Sequence, residues 1–429
     1  MLEAVSMTET PPLYLHAELL PNIRHITLYI SLSPTIQAKN IFPKITLSES
    51  RRAVSVSLPE PFDHVAETIK LPARVNEAAR RTLTTTSSPH TQAPKTAPEY
   101  SYRMQIDDNP AEPLLSHEEP LDSFVPWTAT NMGPSTRLRC RVCENIILDC
   151  PEKKETGGGA APDGWVWKDL PSGNWAEMMD FWHCHKPDPI EEPAPASGNL
   201  SQEQSAVVKG YGAANRVVAA AGTVLVDVAT FLVSGMDCRG LKQAPEEPRD
   251  SSQTELRCSA CATLIGMDDP VSQGWRLFKT SLSAQTPLDQ SSPAPWESHS
   301  AETVVAAQLL ELIERESARR FVLHHGEKNG LLLWVFNPDL RYSNSGADHS
   351  VTAQRAMKVL FQSVADVDEM LHPECGKPSP LSLEELRLPV AVFRAVAGVL
   401  QDRNEMLPES ARRFREWRVG IMHRYELKK

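Results

Sequence analysis

Two short stretches of this sequence repeat each other and restrict the folds that the chain can adopt. Residues 138–147 read LRCRVCENII and residues 256–265 read LRCSACATLI, so both match the pattern L-R-C-x-x-C-x-x-[IL]-I. The apolar residues on either side of each pair predict a strand that runs into a tight turn and out again. Cysteine pairs with this spacing are typical of zinc knuckles, in which the two thiols of the turn converge on one ion.

Together the two pairs supply the four thiolates of a closed tetrahedral zinc site, although more than a hundred residues separate them. Such a site would tie two distant parts of the chain together. Because it leaves no ligand position open, we predict a structural ion rather than a catalytic one. Two alternatives stay open: the thiols are reduced and buried as small apolar groups, or a mixed site includes Cys150, Cys184 or His185. The predicted ligands are Cys140, Cys143, Cys258 and Cys261.

The composition narrows the class of ligand. The chain has 429 residues and a formal net charge of −11, whereas nucleic-acid binding requires a clustered basic surface. No long run of Lys and Arg occurs, so we expect protein partners and no nucleic acid. The first residues, MLEAVSMTETPPLY, lack the apolar core of a signal peptide. We therefore expect the eight cysteines to be reduced or metal-bound, in a cytoplasmic or a cytoplasmic and nuclear protein.

One apolar stretch, residues 217–235 (VVAAAGTVLVDVATFLVSG), has some features of a membrane span. Asp227 lies near its centre, where a carboxylate would cost ~2.5 kcal/mol or more in a bilayer. Gly222 interrupts the stretch and β-branched residues are frequent in it, which favours strands. We therefore predict buried strands here and no membrane partner.

The periodicity of the chain predicts an α+β protein in three regions. Residues 12–137 alternate apolar and polar side chains between turn-forming residues, which indicates an N-terminal β-rich region. Residues 138–282 hold the two knuckles and several loop insertions, and form a zinc-stapled core. Residues 301–429 begin with an amphipathic helix and a hairpin, and form a C-terminal α+β region. Helices are predicted to finish the chain, at residues 351–371, 383–401 and 408–425.

A tryptophan-rich block, NWAEMMDFWHCHKPD (residues 174–188), predicts a short helix that Pro187 ends. Its large aromatic side chains must pack against something substantial, either within the chain or on a partner. The motif residues of this block are Trp175, Trp182, His183, Cys184 and His185.

Three interpretations of the His183-Cys184-His185 cluster compete. A catalytic zinc site is disfavoured, because neighbouring residues on a helix point about 100° apart. A reactive thiol is the second interpretation, since the two imidazoles could lower the pKa of Cys184 and raise its thiolate fraction. In the third, the histidines lie favourably at the negative end of the helix dipole and Cys184 packs beneath Trp182.

The motifs of several common enzyme classes are missing from the sequence. It contains no G-x-x-x-x-G-K-[ST], no G-x-S-x-G, no Rossmann G-x-G-x-x-G and no H-E-x-x-H. Cys375, in HPECGKPSP, falls in a predicted loop between helices. It is either an incidental surface thiol or a nucleophile on a mobile segment.

The order of these segments resembles the HECT-like ubiquitin ligases that are named for binding a ubiquitin-conjugating enzyme. The most specific part is LPSGNWAEMMDFWHCH (residues 170–185), which matches the family block L-P-S-x-N-W…(D/E)-x-W-x-C-H. A C-x-x-C pair precedes the block, and the segment TVLVDVATFLV (residues 223–233) and a second C-x-x-C pair follow it. The likeness extends from about residue 12 to residue 425.

The resemblance implies a protein that docks a charged ubiquitin-conjugating enzyme and promotes transfer of ubiquitin to lysines of a protein substrate. By analogy with HECT ligases, a cysteine thiolate would accept ubiquitin as a thioester before a lysine amine attacks it. Cys184 is the residue we predict for this role, with Cys375 in reserve.

A second function, a zinc-stapled scaffold or adaptor without catalysis, stays open. It would bind a conjugating enzyme or a client protein, and the tryptophan-rich block favours it. So does the lack of an L-P-x-A-x-T-C-x-x-x-L sequence in the C-terminal region. A metallohydrolase is the least favoured function, because four thiolates leave zinc no open position.

Overall fold

A computed structural model of the chain describes ten stretches, which form two compact units. The first unit comprises Met1–Phe124 and Ala301–Lys429, and the second comprises Val125–Ser300. The described residues are 11–37, 41–85, 99–107, 123–150, 164–170, 217–244, 254–286, 294–346, 353–373 and 383–427.

The strands and helices follow in three successive parts of the chain. The N-terminal part contains β1 (Leu13–Leu20), β2 (His25–Leu32), α1 (Pro34–Gln37), β3 (Lys44–Leu47), β4 (Ala53–Ser57), β5 (Ala66–Lys70), α2 (Ala78–Thr85) and β6 (Glu99–Gln105). The central part contains β7 (Arg137–Cys140), β8 (Ile146–Leu148), β9 (Val166–Asp169), β10 (Thr223–Val226), β11 (Thr230–Val233), β12 (Leu241–Gln243), β13 (Glu255–Cys258), β14 (Leu264–Asp269), β15 (Gly274–Phe278) and β16 (Leu282–Gln285). The C-terminal part contains α3 (Ala301–Glu316), β17 (Arg320–His324), β18 (Gly330–Asn344), β19 (Gln354–Val364), α4 (Val367–Leu371), β20 (Leu383–Arg387), α5 (Val390–Met406), β21 (Arg413–Phe414) and β22 (Trp417–His423).

The first unit is built on a nine-stranded sheet. Its main path runs β21-β22-β19-β18-β1-β2-β6, and β17 and β20 extend it beside one half of β18. The length of β18 allows this branching: Trp334 pairs with Arg320 of β17, whereas Tyr342 pairs with Glu18 of β1. The two ends of the chain therefore share one sheet, although the sequence analysis placed them in separate regions.

Alternation along β1 and β2 produces the core of the N-terminal strands, as the sequence predicted. Leu15, Leu28 and Ile30 are fully buried, and the small sheet β3-β4-β5 contributes Val54 and Val56 to the same cluster. Apolar side chains at helical spacing on α3 and α5 supply the packing against β22.

A buried ion pair links β1 to β19 in this sheet. Lys358 Nζ donates to Glu18 at 2.6 Å, and His16 Nε2 lies 3.0 Å from the same carboxylate. Burial alone would raise the pKa of Glu18, but Lys358 and His16 hold it well below its usual range. The carboxylate is thus charged in the fold, where losing either partner would leave it buried without compensation.

The predicted C-terminal helices are partly wrong. Residues 354–364 form strand β19 and residues 413–423 form the β21-β22 hairpin, where helices were predicted at 351–371 and 408–425. The remaining predicted helix, 383–401, is strand β20 followed by α5. This helix begins at Val390 and ends at Met406. Consecutive residues of β19, such as Val359, Leu360 and Phe361, are buried. A strand covered on both faces shows no alternation, so its apolar run reads like a buried helix.

The second unit contains a seven-stranded sheet, β12-β13-β14-β15-β11-β10-β9, and a three-stranded sheet, β16-β7-β8. The apolar stretch 217–235 supplies β10 and β11, which pair antiparallel, so the prediction of strands there is confirmed. Val224, Phe231 and Val233 from this stretch are buried in the core. Among the residues that the structure describes, no helix has both the length and the apolar character needed to cross a membrane.

Candidate metal centre

The two C-x-x-C segments fold into equivalent knuckles. In the first, the Cys140 N–H donates to the Asn145 carbonyl at 2.8 Å, and the Glu144 N–H donates back to the Cys140 carbonyl at 3.0 Å. In the second, Cys258 and Thr263 repeat the first bond at 2.9 Å. The Ala262 N–H repeats the second bond, also at 2.9 Å. The sequence repeat is therefore a repeat of backbone structure.

Each knuckle reverses the chain at a residue in the left-handed region. Glu144 has φ 64° and Ala262 has φ 58°, and each is the fourth residue after the first cysteine of its knuckle. Each first strand also carries a register shift between its Leu and its Arg, which bends the strand into the turn. This bend and reversal bring the two sulfurs of each turn onto the same side.

A flanking strand supports each knuckle in the same register. Leu282 of β16 pairs with Cys140, and Leu241 of β12 pairs with Cys258. The residue after the first cysteine of each knuckle donates its N–H to the carbonyl just before the flanking strand. Arg141 donates to Ser281, and Ser259 donates to Gly240. The first knuckle is thus held by β16, the last strand of the unit. The second knuckle is held in the same way by β12.

The four sulfurs of the two knuckles lie together. Cys140 Sγ is 3.7 Å from Cys261 Sγ, and Cys143 Sγ is 3.5 Å from Cys258 Sγ. All four ligand atoms lie within 4.8 Å of one another, and all four cysteines are free. The first cysteine of each knuckle therefore faces the second cysteine of the other, an arrangement close to two-fold symmetry.

This arrangement fits a tetrahedral metal ion. Zn–S bonds of about 2.3 Å place the sulfurs of a tetrahedral site about 3.8 Å apart. The separations of 3.7 Å and 3.5 Å across the centre are close to that value, and no other pair of sulfurs exceeds 4.8 Å. Four thiolates would complete the coordination and leave no position for water or substrate. The geometry is that of a structural centre.

Hydrogen bonds favour the thiolate form at the second knuckle. Bonds from the Thr263 side chain and backbone lower the pKa of Cys261 to about 6, with Thr263 Oγ1 3.1 Å from the sulfur. Burial works to raise the pKa of Cys258, but backbone N–H donors and the Asn145 amide, 3.5 Å away, lower it overall. Since metals bind thiolates, these donors prepare Cys258 and Cys261, the two ligands of the second knuckle.

Asn145 and Thr263 are functional residues that sequence reasoning missed. They occupy the same position in the two knuckles, two residues after the second cysteine. Asn145 Nδ2 also donates to the Gly240 carbonyl at 3.1 Å, which ties the first knuckle to the strand that supports the second. A polar residue at one position of both repeats is the signal that could have identified them.

The other cysteines among the described residues stand apart from the centre. Cys150 is exposed and is not part of the group of four close sulfurs, so a mixed site that recruits it receives no support. Cys238 is half-buried, and burial raises its pKa to about 12. The remaining predicted site residues, Trp175, Trp182, His183, Cys184, His185 and Cys375, lie outside the residues that the structure describes.

The fold and the centre define a β-rich protein with a four-cysteine cluster that could bind a metal ion, and comparison with known families gives its class. The model of the family described as HECT-like ubiquitin-conjugating enzyme (E2)-binding matches residues 18–419. The chain belongs to this family. The match spans both units and includes all four cysteines of the centre.

Individual relatives are distant. The chain is 23% identical to an uncharacterized protein of Schizosaccharomyces pombe over 70% of this chain and 78% of that protein. It is 25% identical to an uncharacterized protein of Saccharomyces cerevisiae, over 59% of this chain and 62% of the relative. It is also 25% identical to a human protein named E3 ubiquitin-protein ligase E3D, over 59% of this chain and 66% of that protein. No solved structure matches the chain.

Proposed function

We propose that this protein binds a ubiquitin-conjugating enzyme and promotes transfer of ubiquitin to lysines of a protein substrate. The observation that carries the proposal is the match to the E2-binding family, which extends over residues 18–419. Relatives named E3 ubiquitin-protein ligase E3D support the same role. The net charge of −11 agrees with protein partners rather than nucleic acid.

The proposed chemistry uses a cysteine of this chain as an acceptor. A Cys184 thiolate attacks the thioester carbonyl that joins ubiquitin to the conjugating enzyme, and the thiol of that enzyme leaves. A substrate lysine amine then attacks the new thioester, which forms the amide bond and releases Cys184. This route divides one transfer into two exchanges at a carbonyl. The histidines on either side of Cys184 support it, since cationic neighbours favour the thiolate.

A non-reducing gel tests this step. Incubation with a panel of conjugating enzymes charged with labelled ubiquitin should give an adduct of this protein that reductant removes. Cys184→Ser should abolish the adduct, whereas Cys150→Ser, at an exposed cysteine outside the centre, should retain it. An adduct that survives Cys184→Ser but not Cys375→Ser would move the role to the reserve cysteine. A reductant-sensitive adduct that survives both substitutions would exclude both cysteines as the acceptor, and the absence of any adduct in the wild type would contradict the thioester route.

A scaffold that binds the conjugating enzyme without becoming charged is the second candidate function. The structural character of the four-cysteine centre favours it, because such a centre organises a fold rather than reacting. Co-purification with a conjugating enzyme, without any adduct or faster discharge to free lysine, would select this function. Failure to bind any conjugating enzyme would contradict both candidates.

The metal of the centre is proposed to be zinc. When bound, zinc supplies four strong bonds to thiolates and thereby contributes folding free energy. Cys140→Ala or Cys258→Ala should each lower the melting temperature substantially, because the remaining ligands cannot close the site. Cys150→Ala provides the control and should melt like the wild type. Unchanged melting of both ligand variants would contradict a structural role for the ion.

A further inference from the structure

The first unit contains a groove that neither the metal centre nor the family match explains. Its cavity has a volume of about 600 Å³, which falls within the range of sites that bind small molecules and peptide side chains. We call it the aromatic groove. Its apolar lining includes Leu332, Trp334, Leu383, Phe414 and Trp417.

The register of the sheet builds this groove. Leu332 and Trp334 share one face of β18. Phe336 lies at the register shift that follows Val335, and its ring packs edge-to-face on Trp334 with a centroid distance of 6.2 Å. The opposite face carries Leu333 and Val335, which are fully buried in the core. Phe336 is 51% exposed. The outer face of this strand thus carries two aromatic rings, of which Trp334 is half-buried and Phe336 is exposed.

The β21-β22 hairpin provides the other wall. Phe414 pairs with Trp417, so both rings lie on the same face of the hairpin. Trp417 packs edge-to-face on Trp334 with a centroid distance of 6.1 Å, and Phe414 lies 6.4 Å from Phe336. Phe414 is 46% exposed. The four rings form a continuous surface, and such rings are enriched at protein interfaces.

Two arginines border the rings without any carboxylate partner among the described residues. The Arg320 guanidinium lies over Trp334 at 5.1 Å, and that of Arg415 lies over Phe414 at 5.6 Å. Both side chains are exposed, and neither has another polar contact in the described part of the chain. Glu416 is the single acidic residue of the lining. In a chain of net charge −11, this is a locally basic, aromatic surface.

We propose that the aromatic groove binds an acidic segment of a partner protein, with one apolar side chain of that segment inserted among the rings. The charges are complementary: carboxylates of the segment would pair with Arg320 and Arg415, which the rings already hold in place. Arginine forms such pairs bidentately and is enriched with tryptophan at the energetic centres of interfaces. The proposal is independent of the metal centre, which belongs to the other unit.

Arg415 adds a second observation. It has φ 56° at the turn of the hairpin, a conformation that Asn or Gly adopts more readily. The turn therefore keeps an arginine where local conformational preference would favour a different residue. At this turn the Arg415 guanidinium lies over Phe414 and lines the groove.

A labelled peptide tests the proposal on the full-length protein. The probe is a fluorescein-labelled peptide of Asp and Glu residues around a central Phe-Leu pair, and its binding is followed by fluorescence anisotropy. We expect saturable binding that weakens with salt, and no binding of a matched peptide in which Asn and Gln replace the acids. Arg320→Glu and Arg415→Glu should each weaken the binding about tenfold.

Arg413→Glu is the matched control. It makes the same charge change on the same hairpin, but Arg413 alternates with Phe414 and so lies on the opposite face. Its affinity for the acidic peptide should stay within about twofold of the wild type. Equal binding of the neutral peptide, equal loss in Arg413→Glu, or no binding at all would overturn the proposal.

Sedimentation distinguishes a second copy of this chain as the occupant. A concentration-dependent dimer that Arg320→Glu abolishes would assign the groove to self-association and overturn the proposal. A wild type that stays monomeric while binding the peptide would support it. Binding of conjugating enzymes to Arg320→Glu, measured in parallel, separates this inference from the proposed function. Loss of peptide binding with unchanged binding of the conjugating enzyme would assign the effect to the groove alone.

Discussion

At the scale of single residues, Lys279 has an unusual environment. Its side chain is fully buried in the second unit, where Nζ donates to the carbonyls of Pro126 at 2.8 Å and Trp127 at 3.1 Å. Burial lowers its pKa to about 7, although Asp227 and Asp169 act in the opposite direction. Lys279 therefore links the first residues of the second unit to the end of β15. Its amine can donate these hydrogen bonds in the charged and in the neutral form.

This lowered pKa predicts a dependence of stability on pH. In the unfolded chain a lysine titrates near 10.4, so between pH 7 and pH 10 the unfolded state binds more protons than the folded one. Stability from this residue should therefore rise with pH, by about 1 kcal/mol per pH unit within that window. Below pH 7 both states are protonated and the dependence disappears.

Urea unfolding of the wild type and of Lys279→Met between pH 6 and pH 10 measures this effect. The difference in unfolding free energy between the two proteins should grow with pH above 7, because only the wild type carries the titrating group. Other groups contribute equally to both and cancel. A difference that stays constant across the range would show that the pKa of Lys279 is not lowered.

The metal centre shows which residues of the candidate site can be predicted from the sequence and which cannot. Spacing and repetition identified four cysteines that the structure brings together, because a C-x-x-C turn carries its geometry locally. The pairing of Cys140 with Cys261 across the centre was not predictable, since it depends on which strands flank the knuckles. The roles of Asn145 and Thr263 depend on the same long-range contacts.

At the scale of elements, the packing of α5 on β22 depends on a glycine. A Cβ added at Gly420 of β22 would lie 2.7 Å from Leu400 Cδ2 and 3.2 Å from Phe361 Cε1. Both neighbours are buried, Leu400 fully and Phe361 at 4% exposure, so neither can move without displacing others. The close approach of helix and strand therefore requires that no side chain be present at residue 420.

Gly420→Ala should destabilise the protein by about 1–3 kcal/mol, the usual cost of overpacking a core. Gly398→Ala is the matched control, because Gly398 is an exposed residue of α5 with nothing within 4 Å of an added Cβ. It should stabilise the helix by up to about 1 kcal/mol. Thermal unfolding measures both changes, and equal effects of the two substitutions would contradict the packing described here.

The same elements explain which parts of the fold could be read from the sequence. Apolar and polar side chains alternate along β1 and β2, which were predicted correctly as strands, as was the helix that begins at Ala301. The apolar runs of β19 and β22 were taken for helices, because strands that are covered on both faces lose their alternation. Pairing with strands that are distant in sequence, rather than the local pattern, determines that these segments form strands.

At the scale of the whole molecule, each unit has its own sheets and its own core. The sheet of the first unit is completed by strands from both ends of the chain, and the four cysteines of the centre lie outside this unit. In the second unit, the two knuckles meet where their four cysteine sulfurs lie close together. Composition could not reveal this division, because contacts between the ends of a chain leave no local pattern.

Removal of the metal should therefore act on one unit. Treatment with a strong zinc chelator should accelerate hydrogen exchange at the knuckle amides, such as those of Cys140 and Cys258, which are hydrogen-bonded within the turns. Amides of the β1-β18 pairing in the first unit should keep their protection. Equal acceleration in both units, or none in either, would contradict this assignment.

The metal content of the purified protein shows whether the two knuckles, which are remote in sequence, hold one metal ion. We predict one zinc ion per chain in the wild type and in Cys150→Ser, and its loss in Cys258→Ser. A folded wild-type protein without zinc or another thiolate-binding metal, or a Cys258→Ser variant that retains the full metal content, would show that the knuckles do not share an ion.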